Sequence, residues 1–294
     1  MSGHGFPDAE ARAVVERALD EDLDAATDVT TAATIPADQE SVAHLVARAD
    51  GVVAGLPVVA LVLAAVDARL GTGPVSVRLH VRDGDRVSRG DRLATLRGST
   101  RTTLIAERTA LNVLCRTSGV ATHTRRWADR LEGTGAAVLD TRKTTPGLRA
   151  LEKYAVRCGG GTNKRMGLYD VAMIKDNHKL AAGGLTGAFD AVRARFPDVE
   201  VQVEVTTTDE ALESVSAGAR FLLCDNMTPR LLQETVEAVR ATGEVVEVEA
   251  TGGLTLDVVR EYAETGVDYL SVGGLTHSSP IVDIALDLDP AGEV

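Results

Sequence analysis

All five lysines of this 294-residue chain lie in one segment, from Lys143 to Lys179, and arginine supplies the other basic side chains. An ammonium group is a compact, strongly hydrated charge that a planar guanidinium does not replace. Between Arg142 and Lys179, nine basic residues accompany only three acidic ones, although the chain as a whole carries a net charge of −12. Because like charges at this density repel one another unless an anion lies among them, the segment predicts a binding site for an anionic ligand.

Glycine-rich turns interrupt this basic segment, in T-R-K-T-T-P-G and in G-G-G-T-N-K-R. A run of charges is ordinarily the solvated face of a helix. Here the turns break any helical face, and they therefore favour a pocket.

The elements that position these residues alternate between short β-branched runs and helical segments. We predict strands at 136–140, 171–175, 199–204, 221–224, 245–249 and 268–272, with helices at 208–217, 229–241 and 256–265. Repeated βα units of this length imply a parallel sheet with right-handed crossovers. Such units favour a barrel, and a doubly wound sheet is the alternative that the sequence leaves open.

Each predicted strand changes from apolar to charged or glycine-rich residues where it ends. In a parallel α/β barrel these carboxyl ends meet at one edge, where active sites lie. The exits are Asp140-Thr141-Arg142-Lys143, Lys175-Asp176, Glu204, Asp225-Asn226, Thr251-Gly252-Gly253 and Gly273-Gly274. One such exit is ordinary helix capping, but six together predict a single site.

The residues at these strand exits fall into three chemical groups. The T-G-G and V-G-G runs, at predicted helix starts, offer backbone N–H groups to a phosphate, although tight strand-to-helix turns explain either run equally well. Glu204 and Asp225 suit Mg²⁺ held together with substrate phosphates, or ribose hydroxyls. Basic side chains supply the remaining charge: Arg142, Lys143, Lys164, Arg165 and Lys175.

The amino-terminal part has a different pattern. We predict helices at 8–23 and 57–70, a strand at 41–49, and two short strands within 75–96 that turn at Asp83-Gly84. A long helix follows at 102–131, loosened near Ser118-Gly119. A strand-like tail at 281–288 is expected to return to this domain.

Composition excludes several classes of protein. The longest apolar stretch, 52–66, is too short to cross a bilayer, and the first residues lack the pattern of a signal peptide. Three widely spaced cysteines without a C-x-x-C motif predict neither a disulfide framework nor a zinc site. An isoelectric point near 5.0 argues against nucleic acid as a partner. We therefore expect a cytoplasmic protein.

A series of motifs runs in order along nearly the whole chain: E-R-T-A-L-N, D-T-R-K-T-T-P-G-L-R, G-G-G-x-N-x-R, I-K-D-N-H, V-E-V, D-N-M, T-G-G and V-G-x-L-T-H. Together these motifs resemble those of quinolinate phosphoribosyltransferase. The resemblance implies an α/β fold of the type II phosphoribosyltransferase kind: an N-terminal α/β sandwich at 1–117, joined by the tail 279–294, and an open seven-stranded α/β barrel at 118–278. It also implies a homodimer or larger homo-oligomer.

The resemblance further implies the reaction and the role of each site residue. Quinolinate and 5-phosphoribosyl-1-pyrophosphate would give nicotinate mononucleotide, pyrophosphate and carbon dioxide in NAD biosynthesis. Quinolinate would be bound by Arg142, Lys164, Arg165 and Lys175, and by Arg108 from the neighbouring subunit. Phosphoribosyl pyrophosphate would be bound by Lys143, Glu204, Asp225, Thr251, Gly252, Gly253, Gly273 and His277. The catalytic set would be Lys143, Lys175, Glu204 and Asp225, with Mg²⁺ on the two carboxylates.

One position departs from the family pattern, which usually has N-H-R where this chain has Asn163-Lys164-Arg165. Lysine keeps a cation but removes a group that titrates near neutral pH, and we expect Lys164 to contact a carboxylate or phosphate. Three alternatives remain: a paralogue acting on another pyridine or azole acid, a Schiff-base lyase that uses Lys175, and a non-catalytic sensor of a phosphorylated metabolite. Either Lys143 or Lys175 would protonate the ring after decarboxylation.

Overall fold

The computed structural model describes residues 5–24 and 26–290. Its first elements are α1 (Asp8–Leu23), α2 (Val29–Thr34), β1 (Glu40–Ala47), β2 (Gly51–Val52), α3 (Pro57–Leu70), β3 (Val75–Leu79), β4 (Arg86–Val87), β5 (Arg92–Ser99) and α4 (Thr100–Leu131). The next are β6 (Ala137–Leu139), α5 (Arg149–Cys158), β7 (Val171–Ile174), α6 (Asp176–Ala181), α7 (Leu185–Arg195), β8 (Glu200–Val205) and α8 (Thr208–Ser216). The last are β9 (Phe221–Asp225), α9 (Pro229–Ala241), β10 (Glu247–Thr251), α10 (Val259–Ala263), β11 (Tyr269–Ser271), α11 (Gly274–His277) and β12 (Ile284–Leu288).

The chain divides into two compact units. Of the described residues, the first comprises 5–24, 26–125, 144–160 and 275–290, and the second comprises 126–143 and 161–274. The sequence predicted a single boundary at 117/118, with 118–278 in the second domain, whereas the structure assigns 118–125, 144–160 and 275–278 to the first unit. Positions 1–4 and 291–294 of the predicted N-terminal domain and tail lie outside the described residues.

The first unit contains a four-stranded antiparallel sheet in the order β12-β1-β5-β3. Strand β12 pairs with β1, from Ala43 opposite Leu288 to Ala47 opposite Ile284. Helix α3 begins at Pro57, whose fixed φ suits the first turn, and ends at Leu70, before Gly71, which has a left-handed φ of 61°. Apolar side chains of the helices and the sheet form one buried cluster, which is the core of this unit.

The second unit contains a six-stranded parallel sheet in the order β6-β11-β10-β9-β8-β7. From β7 to β11 successive strands are neighbours, and β6 pairs with the last of them, β11. This order is that of an α/β barrel left open between β6 and β7, rather than that of a doubly wound sheet. A single parallel bridge from Leu139 to Thr162 adds a seventh position beside β6. The predicted α/β fold class is confirmed, and the structure combines an antiparallel sheet with a parallel one.

Two local predictions were wrong. The paired strands within 75–96 are β3 and β5, but they do not turn at Asp83-Gly84, because β4 lies between them and pairs with β2. The Asp83 carboxylate instead accepts hydrogen bonds from the backbone N–H groups of Gly55 and Leu56, each at 3.0 Å. It thereby holds the start of α3.

Helix α4 is continuous through Ser118-Gly119, where the sequence predicted a loosened helix. Ser118 is buried, and its hydroxyl accepts a hydrogen bond from the Ala54 N–H at 3.1 Å. A Cβ added to Gly119 would lie 2.1 Å from the carbonyl oxygen of Pro280. Both residues therefore allow close packing against another segment.

A fully buried carboxylate, that of Glu152 in α5, joins several segments of the first unit. Its Oε1 accepts hydrogen bonds from Arg116 Nη2 at 2.8 Å and from Thr145 Oγ1 at 2.7 Å, and its Oε2 accepts one from Thr145 N at 3.0 Å. Arg116 Nη1 also donates to the carbonyl of Ser279 at 2.9 Å. The pair thus connects α4, α5 and the segment after α11.

We expect Glu152→Ala to destabilise this unit strongly, because it leaves the charge of Arg116 largely buried without its partner. Breaking a buried ion pair costs about 3–5 kcal/mol, which corresponds to a fall in melting temperature on the order of 10 °C for a unit of this size. Thermal unfolding followed by circular dichroism measures the effect. The exposed Glu10→Ala on α1 is the control and should melt with the unaltered protein; equal melting of all three proteins would contradict the prediction.

Among the described residues, no helix is both long enough and apolar enough to span a bilayer.

Candidate active site

The register of the parallel sheet brings the polar strand exits of the second unit onto one face. Glu204 lies opposite Leu223, and Asp225, two residues further along β9, lies opposite Thr251. Met173 lies opposite Gln202, which places Lys175 at the same edge, two residues beyond Met173. Since side chains two residues apart in a strand point to the same face, these four exits line one edge of one face.

Lys175 and Glu204 form an ion pair at this edge. The Lys175 side chain is 48% exposed, whereas that of Glu204 is only 11% exposed. Lys179 lies behind them: its Nζ donates to the Glu204 carbonyl at 3.1 Å and to Glu210 Oε1 at 3.0 Å. Burial alone would lower the pKa of Lys179, but the ion pairs with Asp176 and Glu210 raise it above its ordinary value. Lys179 therefore holds Glu204 from behind, while the Lys175 side chain remains half-exposed at the edge of the sheet.

Arg142 and Arg165 place two guanidinium groups close to one another. Burial, followed by the charge of Arg142, lowers the pKa of Arg165, and Asp170 opposes that shift only in part. Arg165 Nη1 donates to the carbonyl of Val171 at 3.1 Å. Arg142 Nε is buried and has no hydrogen-bond partner among the described residues. Two repelling cations, one with an unused buried donor, are suited to an anionic ligand.

The loop that carries Arg165 is held by Asp140, a fully buried residue that follows β6. Its carboxylate accepts hydrogen bonds from Asn163 Nδ2 at 2.6 Å and from the backbone N–H of Lys164 at 2.8 Å. The sequence placed Asp140 at a strand exit but gave it no role. Its burial, which the sequence did not predict, makes it the anchor of this loop.

Lys164 has a partner that sequence reasoning missed. Its Nζ lies 2.6 Å and 2.5 Å from the two carboxylate oxygens of Glu249, in the middle of β10. The sequence-based expectation gave Lys164 a substrate anion as its partner. One signal was available: alternation in E-V-E-A-T puts Glu249 and Thr251 on the same face of β10.

The T-G-G run forms a sharp turn after β10, and α10 begins only at Val259, so the predicted helix start at this run was wrong. Gly252 and Gly253 have φ values of 95° and 60°. A Cβ on Gly252 would lie 2.3 Å from Oδ1 of Asn226 and 3.0 Å from its backbone nitrogen, whereas a Cβ on Gly253 would meet open space. The run Gly273-Gly274, by contrast, does lead into α11.

The two glycines should therefore respond differently to alanine. Gly252→Ala combines a disfavoured φ with a collision against Asn226, and we expect it to lower the free energy of unfolding by about 3 kcal/mol. Gly253→Ala meets only the backbone strain and should cost about 1 kcal/mol. Urea denaturation of the two variants gives the comparison. Equal losses of unfolding free energy in the two variants would show that Asn226 moves aside at no energetic cost.

The remaining predicted site residues lie as follows. Lys143 is exposed, and its backbone N–H donates to Thr141 Oγ1 at 3.0 Å. Arg108, on α4, is exposed and belongs to the first unit. His277, also of the first unit, is exposed, with its Nδ1 2.6 Å from Ser278 Oγ.

The donor set at the edge fits Mg²⁺ only if a ligand completes it. Glu204 and Asp225 offer carboxylate oxygens, and Asp225 also accepts a hydrogen bond from Asn226 Nδ2 at 2.8 Å. Among the described residues, no group of three or more His, Cys, Asp or Glu side chains is arranged to hold a metal. Mg²⁺ commonly binds through one or two carboxylates together with substrate phosphates, and this pair suits that mode.

Both parts of the chain match models of one family. Residues 28–118 match the N-terminal domain of quinolinate phosphoribosyl transferase, and residues 120–287 match its C-terminal domain. The chain belongs to the quinolinate phosphoribosyltransferase family. The motifs singled out in the sequence, from E-R-T-A-L-N to V-G-x-L-T-H, lie within these matches, and the proposed family resemblance is confirmed.

Individual relatives cover nearly the whole chain of this family member. It is 45% identical over 278 residues to the nicotinate-nucleotide pyrophosphorylase (carboxylating) of Mycobacterium leprae, covering 95% of this chain and 97% of that one. A probable enzyme of the same name from Bacillus subtilis is 38% identical over 271 residues, covering 92% and 91%. The crystal structure of NadC from Streptococcus pyogenes superposes with a TM-score of 0.91 at 33% identity, covering 98% and 99%.

Proposed function

We propose that this protein transfers the phosphoribosyl group of 5-phosphoribosyl-1-pyrophosphate to quinolinate and releases carbon dioxide, forming nicotinate mononucleotide and pyrophosphate for NAD biosynthesis. Family membership over both domains supports the reaction. The observation that carries it at the level of the site is the pair Arg142 and Arg165, two cations at the edge that also presents Glu204 and Asp225. Such an edge suits one acidic ring and one phosphorylated sugar.

Quinolinate is a flat ring with two neighbouring carboxylates. We assign those carboxylates to Arg142, Arg165 and Lys175. The guanidinium group can bind a carboxylate through two parallel hydrogen bonds, which fixes the ring plane as well as its position. The negative charge of quinolinate also offsets the repulsion between the two arginine side chains.

Phosphoribosyl pyrophosphate carries its charge on phosphates. Within the second unit we assign it to Lys143, Glu204, Asp225, Thr251, Gly252, Gly253 and Gly273. The positive φ values at Gly252 and Gly253 turn the backbone sharply there, and a residue without a Cβ lets a phosphate approach the N–H groups. Glu204 and Asp225 would hold Mg²⁺ together with the ribose, and Mg²⁺ when bound would neutralise charge on the pyrophosphate.

The first step forms a bond between the pyridine nitrogen and the anomeric carbon of the ribose, while the bond from that carbon to pyrophosphate breaks. Positive charge develops on the sugar, and the carboxylates of Glu204 and Asp225 stabilise it. Holding both substrates in line contributes about 7–11 kcal/mol by proximity. The residues therefore act mainly by positioning and by charge.

The second step is decarboxylation. The ribosylated ring nitrogen is cationic, so the electron pair of the bond between the ring and the adjacent carboxylate can move into the ring as carbon dioxide leaves. A proton then replaces the carboxylate on that ring carbon. Lys143 and Lys175 are the candidate donors, since Lys143 is exposed and the Lys175 side chain is half-exposed, and both follow strands of the parallel sheet.

We further propose a homodimer or larger assembly in which Arg108 is supplied to the quinolinate site of the neighbouring subunit, and a cytoplasmic location. Arg108 is exposed, and its closest acidic partner, Glu107, lies 4.0 Å away, so its guanidinium is available to a ligand. All three cysteines are free thiols, as a reducing compartment would keep them.

The direct test measures both products with purified protein, phosphoribosyl pyrophosphate and Mg²⁺. We expect equal amounts of pyrophosphate and carbon dioxide with quinolinate, and neither product when one substrate is omitted. Nicotinate, which lacks the second carboxylate, should give no product. Pyrophosphate from nicotinate but not from quinolinate would assign the protein to another substrate. A lysine adduct trapped by borohydride, without pyrophosphate release, would indicate a Schiff-base lyase.

A further inference from the structure

Lys164 and Glu249 form an ion pair inside the parallel sheet of the second unit. Both carboxylate oxygens of Glu249 contact Lys164 Nζ, at 2.6 Å and 2.5 Å. The side chain of Glu249 is 0% exposed and that of Lys164 is 7% exposed. The Nζ also lies 5.8 Å from the centre of the Phe221 ring, which attracts a cation.

The surroundings of the pair are mixed. Leu139, Phe221 and Leu223 form an apolar cluster on the inner face of the sheet, and Glu249 lies opposite Leu223. Burial, followed by the negative charge of Glu249, raises the pKa of the nearby Cys224 thiol. Arg165 and Lys175 act on Lys164 as like charges. Glu249 is therefore the counter-ion that keeps a third cation stable beside two cations of the proposed quinolinate site.

Two separate carboxylates fix the same short loop. Asp140 accepts the backbone N–H of Lys164 at 2.8 Å, and Glu249 holds the end of its side chain. Arg165 follows Lys164 directly in the chain. Because both the backbone and the side chain of Lys164 are fixed, the position of Arg165 is restrained as well. Burial lowers the pKa of Lys164 and raises that of Glu249, and each partner opposes the shift of the other.

We infer that Glu249 is a positioning residue of the quinolinate site: it retains Lys164 in the sheet interior as a neutral pair, so that Lys164 orients Arg165 and is not itself a ligand of the substrate. This inference rests on the proposed function. It replaces the direct substrate contact that the family pattern suggested for Lys164. For Lys164 to reach a substrate it would have to leave Glu249 as an unpaired charge in a fully buried position.

Glu249→Gln tests the inference, with Glu247→Gln as the matched control. Glu247 lies two residues earlier on the same strand, is exposed, and accepts a hydrogen bond from the Tyr269 hydroxyl at 3.0 Å. Removing the charge of Glu249 releases Lys164 among like charges, and we expect the KM for quinolinate to rise about tenfold. The KM for phosphoribosyl pyrophosphate should stay within about twofold, a split that general loss of structure would not produce. The control should match the unaltered protein.

The double variant Lys164→Met/Glu249→Leu keeps the inference testable even if Glu249→Gln folds poorly. Replacing a buried ion pair by apolar side chains of similar size is often neutral for stability. In the double variant Asp140 still binds the backbone N–H of residue 164, and the apolar pair fills the same space without a loose charge, so Arg165 stays oriented. We therefore expect its KM for quinolinate to lie within about threefold of the unaltered value. The inference would be overturned by an unchanged KM for quinolinate in Glu249→Gln. It would also be overturned if the KM of the double variant rose as much as the loss of a substrate ligand would raise it. Failure of the unaltered protein to release carbon dioxide from quinolinate would instead reject the proposed function.

Discussion

Arg142→Met should lower kcat/KM for quinolinate by about a hundredfold or more, because the substrate carboxylate then lacks a cationic partner worth about 3 kcal/mol. The same change should leave the melting temperature unchanged or higher. Arg142 Nε is buried without a hydrogen-bond partner among the described residues, and its charge repels that of Arg165. A buried donor without a partner costs about 1–3 kcal/mol, so its removal relieves the free protein.

The control for this prediction is Arg193→Met. Arg193 lies on α7 in the same unit and donates only to the carbonyl of Pro197, at 2.8 Å, among the contacts the structure describes. Steady-state kinetics and thermal unfolding of the three proteins give both quantities. A clear fall in melting temperature for Arg142→Met with kcat/KM retained would mean that Arg142 serves the fold rather than the ligand.

Glu204→Gln should lower kcat by about a hundredfold, with little effect on the KM for quinolinate. Its carboxylate is placed to stabilise the positive charge that develops on the ribose, and removing one such group typically costs a factor of about 100–1,000 in kcat. The change also frees Lys175 from its ion pair, so a ligand carboxylate can take the place of Glu204 on that ammonium group. Catalysis and quinolinate binding should therefore respond separately.

Glu200→Gln is the matched control for this prediction. Glu200 lies on the same strand and the same face, at its exposed amino end, where it accepts a hydrogen bond from Gln202 Nε2 at 2.8 Å. We expect kinetics identical to those of the unaltered protein. If Glu204→Gln instead raised the KM for quinolinate and left kcat unchanged, the assigned role would be wrong, and Glu204 would act only by orienting Lys175.

Much of the fold follows from local patterns. The predicted bounds of α1, α3 and α9 agree with the structure, since proline or acidic residues begin these helices and periodic apolar residues continue them. Each predicted strand of the parallel sheet lies within two residues of an observed one. The convergence of Lys175, Glu204, Asp225 and Thr251 at one edge could also be predicted, because parallel strands place their carboxyl ends together.

The errors arise where distant segments decide the local structure. Nothing near Asp83 in the sequence indicates that β4 pairs with β2, so the turn was misplaced. The sequence predicted that Gly119 loosens its helix, but a glycine stands there because Pro280 approaches the helix closely. The same limit applies to the site: the basic segment indicated Lys164 as a cation, but its partner Glu249 is 85 residues further along the chain.

The central claim is that the carboxyl edge of the parallel sheet binds an acidic ring and a phosphorylated sugar together. A crystal structure with quinolinate and a non-reactive analogue of phosphoribosyl pyrophosphate tests it most directly. We predict the quinolinate carboxylates within hydrogen-bonding distance of Arg142 and Arg165, and the sugar beside Glu204 and Asp225. Ligands bound elsewhere, with these four side chains facing only solvent, would contradict the account.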